Sequence, residues 1–249
     1  MPSFGKGCMA SGAKKAITAV QVVIGVLVAV AVGWLVFKFV GYNQAQQIYR
    51  DIDTAYASEI EGTYDGEASP IDFEALQAQY PNVVAWLKME DVDVSYPIVQ
   101  GPDNEYYLHH DPAGADNIAG SIFLDYRAKS LDTDLYDLVY GHNMRDESMF
   151  GQLDNYLSQD FYEKGTGVFY IYTPDASYRY KIFAVDVVDP SSDVYQMGFT
   201  NTQVFGAFVE QLKESSIYDT GVEVAGYDHV VTLSTCSDTN RLVLFAKRM

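Results

Sequence analysis

Cysteine is nearly absent from this chain: of 249 residues only Cys8 and Cys236 carry a thiol. Two thiols cannot build a disulfide framework, so the folded part must rest on a packed core, and the length allows one sizeable domain plus an appendage. Basic residues are scarce as well. Lysine and arginine total 16 against 34 acidic residues, and five of the 16 (Lys6, Lys14, Lys15, Lys38 and Arg50) precede the first acid, Asp51. The remaining chain therefore sets 11 basic residues against 34 acidic ones, a balance of −23. That sign argues against nucleic acid as a partner, because phosphate binding needs a basic face, and it suits a solvated domain kept soluble by its charge.

The third scarcity is local. Residues 16–37 contain no charged side chain in a run of 22 rich in Val, Ala, Ile and Leu, which at helical rise spans the hydrocarbon core of a bilayer. A cleaved signal peptide would have a shorter apolar region ending at a small-residue site, whereas Trp34, Phe37, Lys38 and Phe39 close this one like an interfacial belt. A retained anchor over residues 16–40 is the expectation. With Lys6, Lys14 and Lys15 before it, the positive-inside rule places residues 1–15 in the cytoplasm and the rest outside the cell. Cys8 and Cys236 then lie on opposite sides of the membrane and cannot pair. An exported protein with one unpaired thiol is unusual, and chemistry is one reason to keep it.

Beyond the anchor, residues 42–61 read as a helical stalk and a polar, Gly-containing stretch at 62–69 breaks it. A short helix is expected at 72–78. From Val83 onward the pattern changes to short apolar runs bounded by turn residues, which predicts strands near 85–89, 92–99, 120–124, 135–141, 167–173, 178–188, 229–235 and 241–246. Eight short strands without regular alternation with helices suggest an antiparallel or mixed barrel, so the fold class is mainly β. One late helix interrupts them at 202–215, with Phe205, Phe208, Val209 and Leu212 on a single stripe that should lie against the barrel wall. The expected organisation is a cytoplasmic tail (1–15), an anchor (16–40), a stalk with N-terminal helices (41–79) and a barrel domain (80–249).

Cys236 stands between the apolar runs 230–233 and 242–245. A thiol within a strand is inert packing, whereas one at a strand edge beside a fixed cation can ionise and attack, and Arg241 supplies that cation across a short polar turn. A lone cysteine is nevertheless more often a small buried hydrophobe. A thiol nucleophile also needs a base, which directs attention to the four histidines. His109 and His110 lie in a polar loop, and no well-spaced Cys or carboxylate set accompanies them as a metal site would require. His229 opens a strand. His142 ends the run Leu138-Val139-Tyr140-Gly141-His142 and so mirrors the strand-end cysteine; on position alone it is equally a structural histidine or a catalytic partner.

Taken together these runs resemble a known family. Thr232-Leu233-Ser234-Thr235-Cys236 followed by Arg241, with Tyr140-Gly141-His142 before them, is similar to the signature of the sortases, membrane-anchored cysteine transpeptidases of Gram-positive surfaces. The runs at 96–101, 103–108, 119–127 and 141–144, with Ser148-Met149-Phe150, resemble class B in order and spacing, over roughly residues 80–247. The resemblance implies an eight-stranded sortase-type barrel with N-terminal helices, Cys236 at the end of the seventh strand, His142 at the end of the fourth and Arg241 at the start of the eighth. It further implies that Cys236 attacks a threonine carbonyl in a C-terminal sorting signal, that His142 moves the protons and that Arg241 orients substrate or stabilises the oxyanion. Ser234 and Thr235 are candidate substrate contacts, though local packing explains them equally well. No metal or organic cofactor is implied. The implied partners are sorting-signal-bearing surface proteins, an amine of the peptidoglycan precursor and, through the anchor, the membrane. Pilin polymerisation and plain hydrolysis by a cysteine peptidase are the alternatives. A papain-type peptidase fits poorly, since its nucleophile lies near the mature N-terminus on a helix, and a non-catalytic adhesin has no need of Cys236, His142 and Arg241 together.

Overall fold

A computed structural model describes residues 8–57, 60, 67–237 and 239–249, with the side chains of residues 8–15, 35, 37–40, 42, 44, 236 and 237 outside that description. Most of the polar break expected at 62–69 therefore lies outside the described residues. The chain divides into two compact units at residues 44 and 45. The first is helical wherever it is described and belongs to α1 (Cys8–Tyr56). Within it Ala16–Trp34 is apolar and buried against nothing, and its 19 residues rise about 28 Å, enough to cross a bilayer core.

The second unit, Ala45–Met249, contains the remaining turns of α1 and a closed barrel of eight strands. After α2 (Phe73–Gln79), capped by Asp72 accepting from the Ala75 N–H, come β1 (Val83–Met89), β2 (Ser95–Gln100), β3 (Ile122–Leu124) and β4 (Tyr136–Tyr140). A 3-10 turn, Gly151–Leu157, and α3 (Gln159–Lys164) then lead to β5 (Val168–Tyr172) and β6 (Ser177–Val188). The chain closes with α4 (Thr202–Glu214), β7 (Val230–Ser237) and β8 (Asn240–Arg248). Around the barrel the order is β1-β2-β3-β4-β7-β8-β6-β5. The ladder is mixed: β2–β3 and β4–β7 are parallel and the other pairs antiparallel.

Continuous apolar runs form these strands because both of their faces are covered. Leu242 to Ala246 of β8 are all buried, for instance. One outer face of the barrel packs Trp86, Val99 and Phe123 against Ile52 of α1 and Phe73 and Leu76 of α2. Another receives α4, whose Phe205, Val209 and Leu212 lie on Tyr136, Leu138 and Phe245. Each such side chain contributes about 2 kcal/mol by leaving water. Phe208, expected on the same stripe, is half-buried against that cluster and meets Tyr136 edge-on at 5.2 Å. Asn201 caps α4 by accepting from the Gln203 and Val204 N–H groups.

Where the expected second strand begins at residue 92, the chain instead turns, and β2 starts at Ser95. The reason is Asp91, whose carboxylate accepts from Thr166 N, Gly167 N and the Tyr156 hydroxyl. Those three donors fix a loop where the apolar pattern alone suggested a strand.

Candidate active site

Parallel pairing of β4 with β7 sends both strands to the same end of the barrel. Their register sets Tyr140 beside Ser234, so continuing each strand by two residues brings His142 level with Cys236. β8 starts from that end and runs back antiparallel, with Cys236 opposite Arg241 in the ladder. Opposed residues of an antiparallel pair occupy the same face of the sheet. The turn between them is short, because the ladder continues to Ser237 opposite Asn240; β7 therefore ends one residue later than the thiol.

The sequence permits His142 to reach this place because the residue before it is glycine. A Cβ on Gly141 would stand 2.4 Å from Ile122 Cδ1 and 2.7 Å from a ring carbon of Phe150. No other residue lets the chain pass so close to the barrel wall. The Gly141 N–H donates to Ser234 O at 3.2 Å, and the Phe150 N–H returns to His142 O at 2.9 Å. The imidazole Nε2 lies 2.7 Å from Leu108 O. A carbonyl only accepts, so Nε2 carries a proton and Nδ1 is left as the nitrogen able to take and return one.

These groups open on one cleft of about 340 Å³. His142, Arg241, Ser234 and Thr235 all line it, together with Asn104, Leu108, Tyr140 and Tyr195. Arg241 is half-buried and directs one Nη1 hydrogen to Asn240 O at 3.0 Å. Ser234 is buried and its Oγ pairs with the Tyr195 hydroxyl at 3.0 Å. Thr235 is buried too, and among the described residues its Oγ1 has no hydrogen-bond partner. Of the candidates, His142, Arg241, Ser234 and Thr235 are thus brought together by their side chains, and Cys236 by its backbone. A cysteine set by the backbone at the barrel end where an imidazole and a guanidinium line the cleft is the combination of residue types that acyl transfer through a covalent intermediate uses.

Two other histidines, His110 and His229, hold loops. His110 stacks on Tyr106 at 4.0 Å with its Nδ1 2.7 Å from Tyr106 O. His229 Nδ1 lies 2.8 Å from Asp134 O. Three residues that line the cleft with polar side chains, Asn104, Tyr140 and Tyr195, carry no mark as site residues in the sequence. The first two occur within runs that resemble the family, so a signal existed for them. Tyr195 belongs to the 3-10 turn Asp193–Tyr195 in the connection from β6 to α4, where no motif points to it.

Behind the cleft wall stands Asp125, fully buried. Burial opposes its ionisation, but hydrogen bonds from the Arg127 side chain and backbone, Asn104 and Tyr140 outweigh that cost and hold its pKa below the usual carboxylate value. The same environment acts oppositely on its neighbour. Burial, then the charge of Asp125, raises the pKa of the Tyr140 phenol.

Comparison with known proteins identifies the family. Residues 87–249 match the family model described as "Sortase domain", and the chain belongs to the sortase family of cysteine transpeptidases. Sortase B of Listeria monocytogenes is 35% identical over 226 residues, which cover 83% of this chain and 87% of that protein. A crystal structure of sortase B from Bacillus anthracis is 32% identical, with a TM-score of 0.75, covering 85% of this chain and 99% of the other. The Staphylococcus aureus sortase B–substrate complex is 27% identical, with a TM-score of 0.74 and coverage of 84% and 98%. Within the family, this chain is a class B sortase.

Proposed function

We propose that this sortase cleaves a C-terminal sorting signal after threonine and joins the freed acyl group to an amine of the cell wall precursor. The Cys236 thiolate attacks the threonine carbonyl carbon and forms a tetrahedral intermediate; the C–N bond breaks, and His142 delivers a proton to the departing amine, leaving a thioacyl enzyme. The incoming amine attacks that thioester and gives its proton to His142 while the C–S bond breaks, which returns the thiolate. Arg241 donates to the substrate backbone or the oxyanion, and Ser234 and Thr235 shape the groove beside them.

One observation carries the reading: His142 and Arg241 line the same cleft at the end of the barrel where the backbone register sets Cys236. Thr235, which lines that cleft, adds support: its buried Oγ1 has no partner among the described residues, and a buried hydroxyl without a partner is costly unless something completes it. In the same reading residues 1–15 are cytoplasmic, 16–40 form a retained single-pass anchor, 41–79 form a stalk with N-terminal helices, and 80–249 form an extracellular catalytic domain. Incubating the full chain in detergent with a library of sorting-signal peptides and amine acceptors, with products read by mass spectrometry, tests the reaction. Peptides cut after threonine and joined to amine are expected. Cleavage with water as the sole acceptor, or no cleavage, would overturn the transpeptidation reading.

A further inference from the structure

The hydrogen-bond network behind the cleft converges on one carboxylate. Asp125 Oδ1 accepts from the Arg127 backbone N–H at 2.9 Å and from Arg127 Nε at 2.8 Å. Oδ2 accepts from Arg127 Nη2 at 2.7 Å, Asn104 Nδ2 at 2.9 Å and the Tyr140 hydroxyl at 2.9 Å. Arg127 Nη2 also donates to Tyr195 O at 3.2 Å, and the Tyr195 hydroxyl meets Ser234 Oγ. Asn104 in turn accepts from the Tyr126 N–H with its Oδ1 at 3.1 Å. Segments distant in sequence, around residues 104, 140 and 195, are thereby tied to one side chain. Asp125 is itself fixed, its N–H donating to Leu138 O at 2.9 Å and its carbonyl accepting from Gln100 Nε2 at 3.0 Å.

We propose that Asp125 is a positioning residue for the acyl-donor peptide: it sets the cleft wall by holding Asn104 and Tyr140 directly and, through Arg127, the turn that carries Tyr195. The proposal rests on the assignment of this cleft to the sorting peptide. Only an ionised carboxylate fits the role, because five donor contacts need acceptor capacity on both oxygens and no hydrogen of its own. A consequence follows for recognition. The Tyr140 proton is committed to Asp125, so toward the cleft the phenol oxygen only accepts, and the group it meets on a bound peptide is an N–H or O–H donor. Asp125 touches neither the peptide nor the reacting atoms in this scheme.

The test uses the full chain in detergent, the best threonine-containing peptide of the library above and hydroxylamine as acceptor, with Asp125→Asn, Tyr140→Phe and the double variant. An amide cannot satisfy all five donors, so Asp125→Asn should raise KM about tenfold while kcat stays within about threefold, the pattern of lost binding. Alkylation of Cys236 by iodoacetamide should keep its wild-type rate, which a collapsed site would not allow. Tyr140→Phe should raise KM by itself, and the double variant should lose much less than the product of the two single losses, because the two side chains share one link. Unchanged KM in folded Asp125→Asn or in Tyr140→Phe, multiplicative losses in the double variant, or a fall in kcat together with the alkylation rate would each overturn the positioning role. If Asp125→Asn does not fold, the KM of Tyr140→Phe decides. The underlying assignment fails separately, if wild-type turnover survives complete alkylation of Cys236.

Discussion

At the scale of single residues, the proposed chemistry divides into three replaceable parts. In that mechanism Cys236→Ala removes the atom that would carry the acyl group, so product formation should vanish while the fold persists; measurable turnover in a folded variant would shift the nucleophile elsewhere. His142→Ala should cost on the order of a hundredfold in kcat/KM or more, the usual loss of a positioned acid–base. A pH–rate profile unchanged by that substitution would assign the proton transfers to another group. Arg241 separates charge from geometry. Lysine keeps the unit charge but not the planar fork, so Arg241→Lys should lose about 2–4 kcal/mol of transition-state stabilisation, the scale of one oxyanion donor. Near-wild-type turnover by the lysine variant would leave Arg241 only a field effect on the thiol.

At the scale of elements, β4 shows how a strand can hold both the site and a liability. Asp137 in β4 is buried, and among the described residues its Oδ1 has no hydrogen-bond partner. Burial first, then the negative charge of Asp134, pushes its pKa well above the ordinary value, against the opposing pull of Arg248. A carboxyl whose folded pKa exceeds its unfolded value is harmless while protonated in both states, and it costs stability increasingly as pH rises above about 4. Asp137→Asn abolishes that titration. The Tm advantage of the variant over wild type should therefore grow from acidic toward neutral pH, and a difference in Tm that stays constant with pH would contradict the assignment. Elsewhere the elements were legible. All eight strands and α4 fall within a few residues of where apolar runs and turn residues set them. The displaced start of β2 was not, because it depends on donors around residue 166 that reach Asp91 across the fold.

At the scale of the whole molecule, charge and hydropathy make a claim about place. With the lysines of the N-terminal tail inside, protease added to intact protoplasts should remove the domain from about residue 41 onward and spare the tail. Full protection of the domain would reverse the orientation, and an isolated protein beginning after Trp34 would show a cleaved signal instead of an anchor. The sequence by itself determined the strands and the apolar helix, because periodicity and uncharged length are local properties, and its family resemblance singled out the thiol, the imidazole and the guanidinium as candidates. Only the tertiary structure decided how they meet. Parallel pairing of β4 with β7 sets residue 142 level with residue 236, and antiparallel β8 brings position 241 back opposite. Tyr195 and the links that tie Asn104, Tyr140 and Tyr195 to the Asp125–Arg127 pair were not legible for the same reason: hydrogen bonds between residues 15 to 68 apart in the chain leave no periodic trace, since closure of the barrel alone puts their partners within reach.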